Sequence, residues 1–268
     1  MLTRFEPSGI VTLLTDFGLS DTYVGQMHGV LLSVDPTLRI VNLTHQVSPQ
    51  DIAEGAFQLA TALDAFPAGC VHVAVVDPGV GTARRAIVVQ TASRLFVAPD
   101  NGVLSYVLED AIAAYAISGC ENTGQEQSST FHGRDIFAPV AGRLASGQLA
   151  PKDVGPAIDL ASVVRLPAMI EEGEGVVSGP IAAIDHFGNC LTMIRAGKLP
   201  APGDELEVVC GRFQVAGLSR TYSDVEPSAP LALIGSNGAI ELSVRDGNAA
   251  RSYGLARGDR VTVRTRRA

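Results

Sequence analysis

Residues 71–85 read VHVAVVDPGVGTARR, an apolar run that passes directly into a turn. The run VHVAVV has the composition of a buried strand, and the proline and glycines that follow favour a turn. Asp77 is therefore expected at a strand end, where a buried carboxylate needs a partner to offset its lost hydration. Arg84 can supply that partner, either in a simple ion pair or in a reactive site.

A second segment of this kind, FHGRDIFAP, occupies residues 131–139. It places His132, Arg134 and Asp135 just before an apolar, helix-like run. A single histidine is weak evidence, but an imidazole, a guanidinium and an acid at strand ends can together activate a small nucleophile. An enzyme is therefore the leading interpretation. A metal site built from His132, Asp135 and another carboxylate is an alternative, although no H-E-x-x-H motif supports it.

Strand and helix signals alternate from residue 10 to about 165, and this rhythm predicts an α/β domain over residues 1–166. We expect a largely parallel sheet sandwiched by helices. Ligands of such sheets bind beyond the carboxyl ends of the strands. Asp16, Asp77 and Asn101 each follow a strand-like run, so they are expected at one rim. Asp16 can serve there as a helix cap or as a ligand of a ribose diol.

The pattern changes after a polar, glycine-containing linker at residues 167–178. Short alternating strands follow, and they predict an all-β, barrel-like domain over residues 179–268. Two turns in it, DHFGN at 185–189 and GSNGAIEL at 235–242, carry polar side chains that could form a site. Each is also an ordinary turn by composition.

The composition of the chain disfavours several classes of function. The chain has 268 residues, a formal net charge of −8 and no long basic run, which disfavours a nucleic-acid partner. No window approaches the roughly 20 apolar residues of a membrane helix, and no secretion signal is evident. The four cysteines form no C-x-x-C pair, so we expect reduced thiols in a cytoplasmic protein and no zinc. They are Cys70, Cys120, Cys190 and Cys210.

Six motifs occur together and in order: TDFG at 15–18, VVDPGVGTARR at 75–85, APDNG at 98–102, FHGRDIFAP at 131–139, DHFGN at 185–189 and GSNGAIEL at 235–242. Over residues 10–265 the chain resembles the S-adenosylmethionine hydroxide adenosyltransferase family, which is related to fluorinating and chlorinating enzymes. The resemblance implies hydrolysis of S-adenosylmethionine to adenosine and methionine, without a metal or cofactor. It also implies a homotrimer whose active sites lie between subunits.

The resemblance assigns roles to individual residues. Asp77, Arg84 and His132 correspond to the triad that holds and activates water, and Asp77 and His132 can orient the water and take its proton. The substrate-binding positions it implies are Asp16 for the ribose, Asn189 and Val244 for adenosine, Ser236 and Glu241 for methionine, Asp185 and Phe187 as lining residues, and Asn101 near the nucleoside.

The chain departs from the halogenating relatives at two positions and one loop. Asp77 replaces their tyrosine, Gly133 replaces a serine that helps to hold halide, and only three residues separate AIVVQ from RLFVAPDNG where they carry an insertion. Because a carboxylate at position 77 would repel a halide, halogenation is not expected. The competing function is a non-catalytic module that binds S-adenosylmethionine or adenosine.

Overall fold

The computed structural model describes residues 5–119 and 127–266, so Cys120 lies outside the described residues. The chain divides into two compact units, Met1–Leu166 and Pro167–Ala268. Cys70, Cys190 and Cys210 are free and buried. No helix in the described part of the chain is both long enough and apolar enough to cross a membrane.

The N-terminal unit alternates strands and helices. Its elements are β1 (Ile10–Thr15), α1 (Tyr23–Val34), β2 (Arg39–Thr44), α2 (Ile52–Ala62), β3 (Val71–Val75), β4 (Ala86–Thr91), β5 (Leu95–Pro99), β6 (Ala111–Ala116), α3 (Ala138–Ala145) and β7 (Ala157–Ile158). A π-helical turn, Gly133–Phe137, leads into α3, and a 3-10 helix, Ser105–Asp110, lies between β5 and β6.

The sheet of this unit is mixed, with strand order β2-β1-β3-β5-β4-β6-β7. The predicted parallel pairing holds for β2, β1, β3 and β5, but β4, β6 and β7 pair in antiparallel fashion. The prediction of a largely parallel sheet is therefore only partly right. A parallel connection needs a crossover of about a dozen residues, whereas residues 92–94 allow only a hairpin between β4 and β5.

Both faces of the sheet are buried, because successive strand residues point to opposite sides. Leu13 packs in a core with Met27 of α1 and with α3, while Leu14 packs in a second core with Leu59 of α2. The helices therefore cover the sheet on both sides, and the strand ends are left to form the site.

Two histidines are buried in the N-terminal unit in the neutral form. Burial lowers the pKa of His72 and of His45 from 6.5 to about 4. Nδ1 of His72 shares a 2.8 Å hydrogen bond with Thr12, and its ring stacks on Phe96. Nδ1 of His45 makes the equivalent 2.9 Å contact with Thr15, next to Asp16.

These histidines predict that acid destabilises the N-terminal unit. Because the folded pKa lies below the unfolded one, the unfolded chain binds the extra proton first as the pH falls. The contribution of these histidines to the free energy of unfolding is therefore fully present above about pH 6.5. It is lost progressively down to about pH 4, by about 3 kcal/mol per histidine. Urea unfolding at stepped pH, with NMR titration of each ring, measures this. An NMR pKa near 6.5 for His72 would contradict the prediction.

The C-terminal unit is an antiparallel, barrel-like sheet. Its elements are β8 (Glu171–Gly173), β9 (Val176–Ile184), β10 (Cys190–Arg195), β11 (Leu206–Cys210), β12 (Phe213–Ala216), β13 (Pro230–Ile234), β14 (Ala239–Val244), α4 (Ala249–Tyr253) and β15 (Arg260–Thr265). The strand order is β12-β11-β15-β9-β10-β14-β13, with β8 on β9. A bridge from Ser219 to Leu233 brings the ends of this order together, so the barrel is nearly closed. The segment predicted as a linker contains β8 and the start of β9.

Candidate active site

The polar residues that follow the strands of the N-terminal unit lie on one rim of its sheet. β1, β3 and β5 are parallel neighbours, so Asp16, Asp77 and Asn101 all follow carboxyl ends at the same edge. β4 runs the opposite way, and Ala86 at its start pairs with Pro99 at the end of β5. Arg84, two residues before β4, therefore reaches the same rim. The hairpin that the sequence interpretation missed is what places it there.

Asp77 and Arg84 form a buried, forked ion pair. Nε of Arg84 donates to both carboxylate oxygens of Asp77 at 3.0 Å, and Nη2 donates to Oδ2 as well. The two side chains are only 10% and 5% exposed. The guanidinium also lies over the ring of Phe137, with 5.3 Å from Cζ to the ring centroid. Because both ends of this pair are held, the carboxylate has a fixed orientation.

His132 completes the cluster through a 2.7 Å hydrogen bond between its Nδ1 and Nη2 of Arg84. A guanidinium has only donors, so Arg84 donates and Nδ1 accepts. The neutral ring then carries its proton on Nε2. Burial, followed by the charge of Arg84, lowers the pKa of His132 below 6.5, against the opposing effect of Asp77 and Asp135. At neutral pH the cluster therefore presents a neutral imidazole with an Nε2–H donor.

The π-helical turn that follows His132 is packed against aromatic side chains. The rings of Phe17, Tyr23 and Phe131 meet edge to face, with centroids 5.2–6.0 Å apart. A Cβ on Gly133 would lie 3.2–3.3 Å from Phe17, Met27 and Phe131. Position 133 therefore has no room for a larger residue unless these side chains move. We did not predict the aromatic cluster, although Phe17 directly follows Asp16 and Phe131 directly precedes His132.

Asp16 is half-buried and accepts a 2.7 Å hydrogen bond at Oδ2 from the backbone N–H of Gln50. Gln50 has a φ of 67°, which is rare for a residue with a side chain. No sequence signal pointed to Gln50. The contact fixes one carboxylate oxygen, and Oδ1 is left to meet a ligand.

The side-chain amide of Asn101 forms hydrogen bonds with two backbone groups of the protein. Nδ2 donates to the carbonyl of Val76 at 2.8 Å, and Oδ1 accepts from the N–H of Val103 at 3.2 Å. Val76 directly precedes Asp77, so this geometry suits a residue that holds the end of β3. Its assignment as a substrate ligand stays a prediction.

The DHFGN turn of the C-terminal unit is built around Asp185. Oδ1 accepts from the N–H groups of Phe187 and Asn189 at 2.9 and 2.8 Å, and Oδ2 accepts from the Asn189 side chain at 3.0 Å. Asn189 is buried, whereas Phe187 is 71% exposed. An apolar ring with so little cover is available to contact a ligand, while Asp185 organises the turn beneath it.

The hairpin of β13 and β14 carries the remaining predicted residues. Glu241 and Val244 are buried in β14, and Ser236 is exposed at the turn. A Cβ on Gly235 would lie 2.7 Å from Oε2 of Glu241, so this oxygen faces the turn next to Ser236. Glu241 also accepts a 2.7 Å hydrogen bond from the hydroxyl of Tyr222, a residue that lies in none of the six motifs.

The alternative metal site finds no support in the side-chain arrangement. Asp135 is held by Arg134 and by the backbone N–H of Ser128, at 2.9 Å in the latter case. In the part of the chain that the structure describes, no group of three or more His, Cys, Asp and Glu side chains could hold a metal ion.

Known proteins are similar to this chain over nearly its whole length. The chain is 41% identical to the (R)-S-adenosyl-L-methionine hydrolase of Salinispora tropica, over 96% of this chain and 98% of that protein. It is 29% identical to the fluorinase of an Actinoplanes species, over 95% and 97% of the two chains. The crystal structure of an uncharacterized conserved protein of Thermotoga maritima matches with a TM-score of 0.87 and 35% identity, covering 95% and 99% of the two chains.

The family models cover most of the chain. Residues 11–155 match the N-terminal domain of S-adenosylmethionine hydroxide adenosyltransferases, and residues 179–262 match the C-terminal domain. The resemblance inferred from the six motifs is confirmed: the chain belongs to the S-adenosylmethionine hydroxide adenosyltransferase family.

Proposed function

We propose that this protein hydrolyses S-adenosyl-L-methionine to adenosine and L-methionine, by attack of water at C5′ of the ribose. The observation that carries this function is the buried cluster of Asp77, Arg84 and His132 at the sheet rim. The family, and relatives named as (R)-S-adenosyl-L-methionine hydrolases, support the same reaction.

The chemistry requires help at the nucleophile and none at the leaving group. The sulfur of S-adenosylmethionine is already cationic, so methionine leaves as a neutral thioether without an acid. Free water has a pKa of about 15.7 and attacks poorly. Holding its oxygen in line with C5′ can supply about 7–11 kcal/mol of the barrier through prepaid entropy. The protein has to position the water and receive its proton.

The hydrogen-bond pattern divides these tasks among the three residues. Of the three hydrogen bonds from Arg84 to Asp77, Oδ1 accepts only one, so this oxygen keeps lone-pair capacity for a water proton. His132, protonated on Nε2, donates to the water oxygen and stabilises its developing negative charge. From the sequence alone, both Asp77 and His132 were expected to take the proton. The geometry favours Asp77 alone.

The other assigned residues bind the substrate in this proposal. Asp16 accepts from the ribose hydroxyls through its free oxygen, Asn189 and Val244 hold adenosine, and Ser236 and Glu241 meet the methionine end. No metal or cofactor takes part. We also propose a homotrimer with active sites between subunits, and a cytoplasmic location. Light scattering in solution tests the trimer by measuring the mass of the assembly.

The proposal predicts metal-independent turnover. Chelator-treated protein, incubated with a mixture of both sulfonium epimers of S-adenosylmethionine, should release adenosine and methionine in equal amounts. Chromatography that resolves both products and both epimers measures this, and we expect the (R) epimer to be depleted, as the names of the relatives suggest.

Two other outcomes would each point to a different function. Activity that is lost with chelator and restored by a divalent ion would replace the proposal with a metal-dependent hydrolase. Tight binding of adenosine or S-adenosylmethionine without turnover would favour the non-catalytic binding module.

A further inference from the structure

Tyr222 contacts a residue of the proposed site but belongs to no recognised motif. It begins a short 3-10 helix, Tyr222–Asp224, between β12 and β13. Its hydroxyl donates to Oε1 of Glu241 at 2.7 Å, and the hydroxyl of Ser243 donates to the same oxygen at 2.8 Å. Both hydroxyls therefore donate to the same carboxylate oxygen, Oε1. Because the two oxygens share one carbon, holding Oε1 also determines the direction of Oε2.

The second oxygen of Glu241 is available to a ligand. Oε2 accepts no hydrogen bond from any residue that the structure describes, and it faces Gly235 beside Ser236. Glu241 is 6% exposed, and no described lysine or arginine pairs with it. A buried carboxylate without a cation is costly, so the missing positive charge is best supplied by the ligand.

The turn that carries Tyr222 is itself held in place. The side chain of Asp224 accepts from the N–H groups of Arg220 and Thr221 at 2.7 and 3.2 Å. Nη1 of Arg245 donates to the carbonyl of Val225 at 2.7 Å. The phenol thus approaches Glu241 from a fixed backbone and does not have to be ordered when a ligand binds.

The phenol also stays protonated over the whole working range of pH. Burial, the hydrogen bond to Glu241 and the charges of Glu241 and Asp185 raise the pKa of Tyr222 to about 12. Tyr222 therefore acts as a permanent donor to the carboxylate.

We propose that Tyr222 is a positioning residue that determines specificity. By holding Oε1 of Glu241, it turns Oε2 towards the α-ammonium group of the substrate's amino-acid end. The inference rests on the proposed function only for the identity of that substrate. It adds that the site recognises the ammonium charge, and that recognition depends on a hydroxyl outside the binding contacts.

The test compares S-adenosylmethionine with its 2-hydroxy analogue, in which a hydroxyl replaces the α-ammonium group. A charged hydrogen bond should let the wild-type protein prefer the ammonium substrate by about 10- to 100-fold in kcat/KM. Glu241→Gln should abolish most of this preference. Tyr222→Phe, which removes only the hydroxyl, should reduce it severalfold and leave the melting temperature nearly unchanged.

The matched control is Tyr253→Phe, which removes another phenol hydroxyl from the same unit. Tyr253 packs on Phe213 through its ring, so the preference should stay at the wild-type value. Equal preference in the wild-type protein and Tyr222→Phe would overturn the inference, even with hydrolysis intact. If the wild-type protein bound both compounds but hydrolysed neither, the proposed function would be wrong. The role of Tyr222 would then be tested by comparing the dissociation constants of the two compounds for the wild-type protein and for Tyr222→Phe.

Discussion

Asparagine in place of Asp77 should lower kcat by about 10²- to 10⁴-fold, the range of a positioned general base. The amide keeps the size of the side chain but cannot take a proton from water. It also leaves the guanidinium of Arg84 without its counter-ion in a site where the two side chains are 10% and 5% exposed. The dissociation constant for S-adenosylmethionine should change much less, because the proposed binding contacts lie elsewhere.

Steady-state production of adenosine, together with calorimetric binding of the substrate, measures both quantities. Asp64→Asn is a suitable control, because this carboxylate is exposed in a 3-10 helix, Leu63–Ala65, that precedes β3, whereas Asp77 follows the carboxyl end of that strand. The activity of this variant should equal that of the wild-type protein. An Asp77→Asn protein that folds, binds substrate and keeps full turnover would remove Asp77 from the mechanism.

The sequence predicted the rim of the sheet correctly because strand ends can be located from local composition. Asp16 and Asp77 follow apolar runs, and in a parallel arrangement such ends necessarily meet at one edge. The orientation of β4 was missed, although the three-residue link to β5 already excluded a parallel connection. The short link between the two strand-like runs was therefore enough to predict an antiparallel pair. The alternation of strands and helices in the surrounding chain favoured a parallel sheet instead.

Other features of the site could not be read from spacing. The contact from Gln50 to Asp16 needs a left-handed backbone at a residue that has no special preference for it. Tyr222 reaches Glu241 across 19 positions of the chain, through strand pairing that no local pattern specifies. The acceptor role of Nδ1 in His132 follows from the position of Arg84, which only the fold determines.

This acceptor role leads to a prediction that separates two mechanisms. If His132 donates to the water oxygen through Nε2–H, then glutamine at position 132 can place an amide N–H near the same point, whereas alanine cannot. We expect His132→Ala to lower kcat by about 10²- to 10³-fold, the usual effect of removing one donor to a developing negative oxygen. His132→Gln should stay at least about tenfold more active than His132→Ala. A histidine acting as the base would make both variants equally poor.

The pH dependence of kcat tests whether the neutral form of His132 is the active one. Protonation of His132 puts an N–H on Nδ1, which then faces the guanidinium donor, so the hydrogen bond between them is replaced by repulsion. Because burial and Arg84 lower the pKa of His132 below 6.5, wild-type activity should be complete at neutral pH and fall only below that lowered pKa. His132→Gln has no ring to titrate, so its activity should lack this acidic limb. If glutamine left the limb unchanged, the titrating group would be a different one, and the donor role of His132 would lose its support.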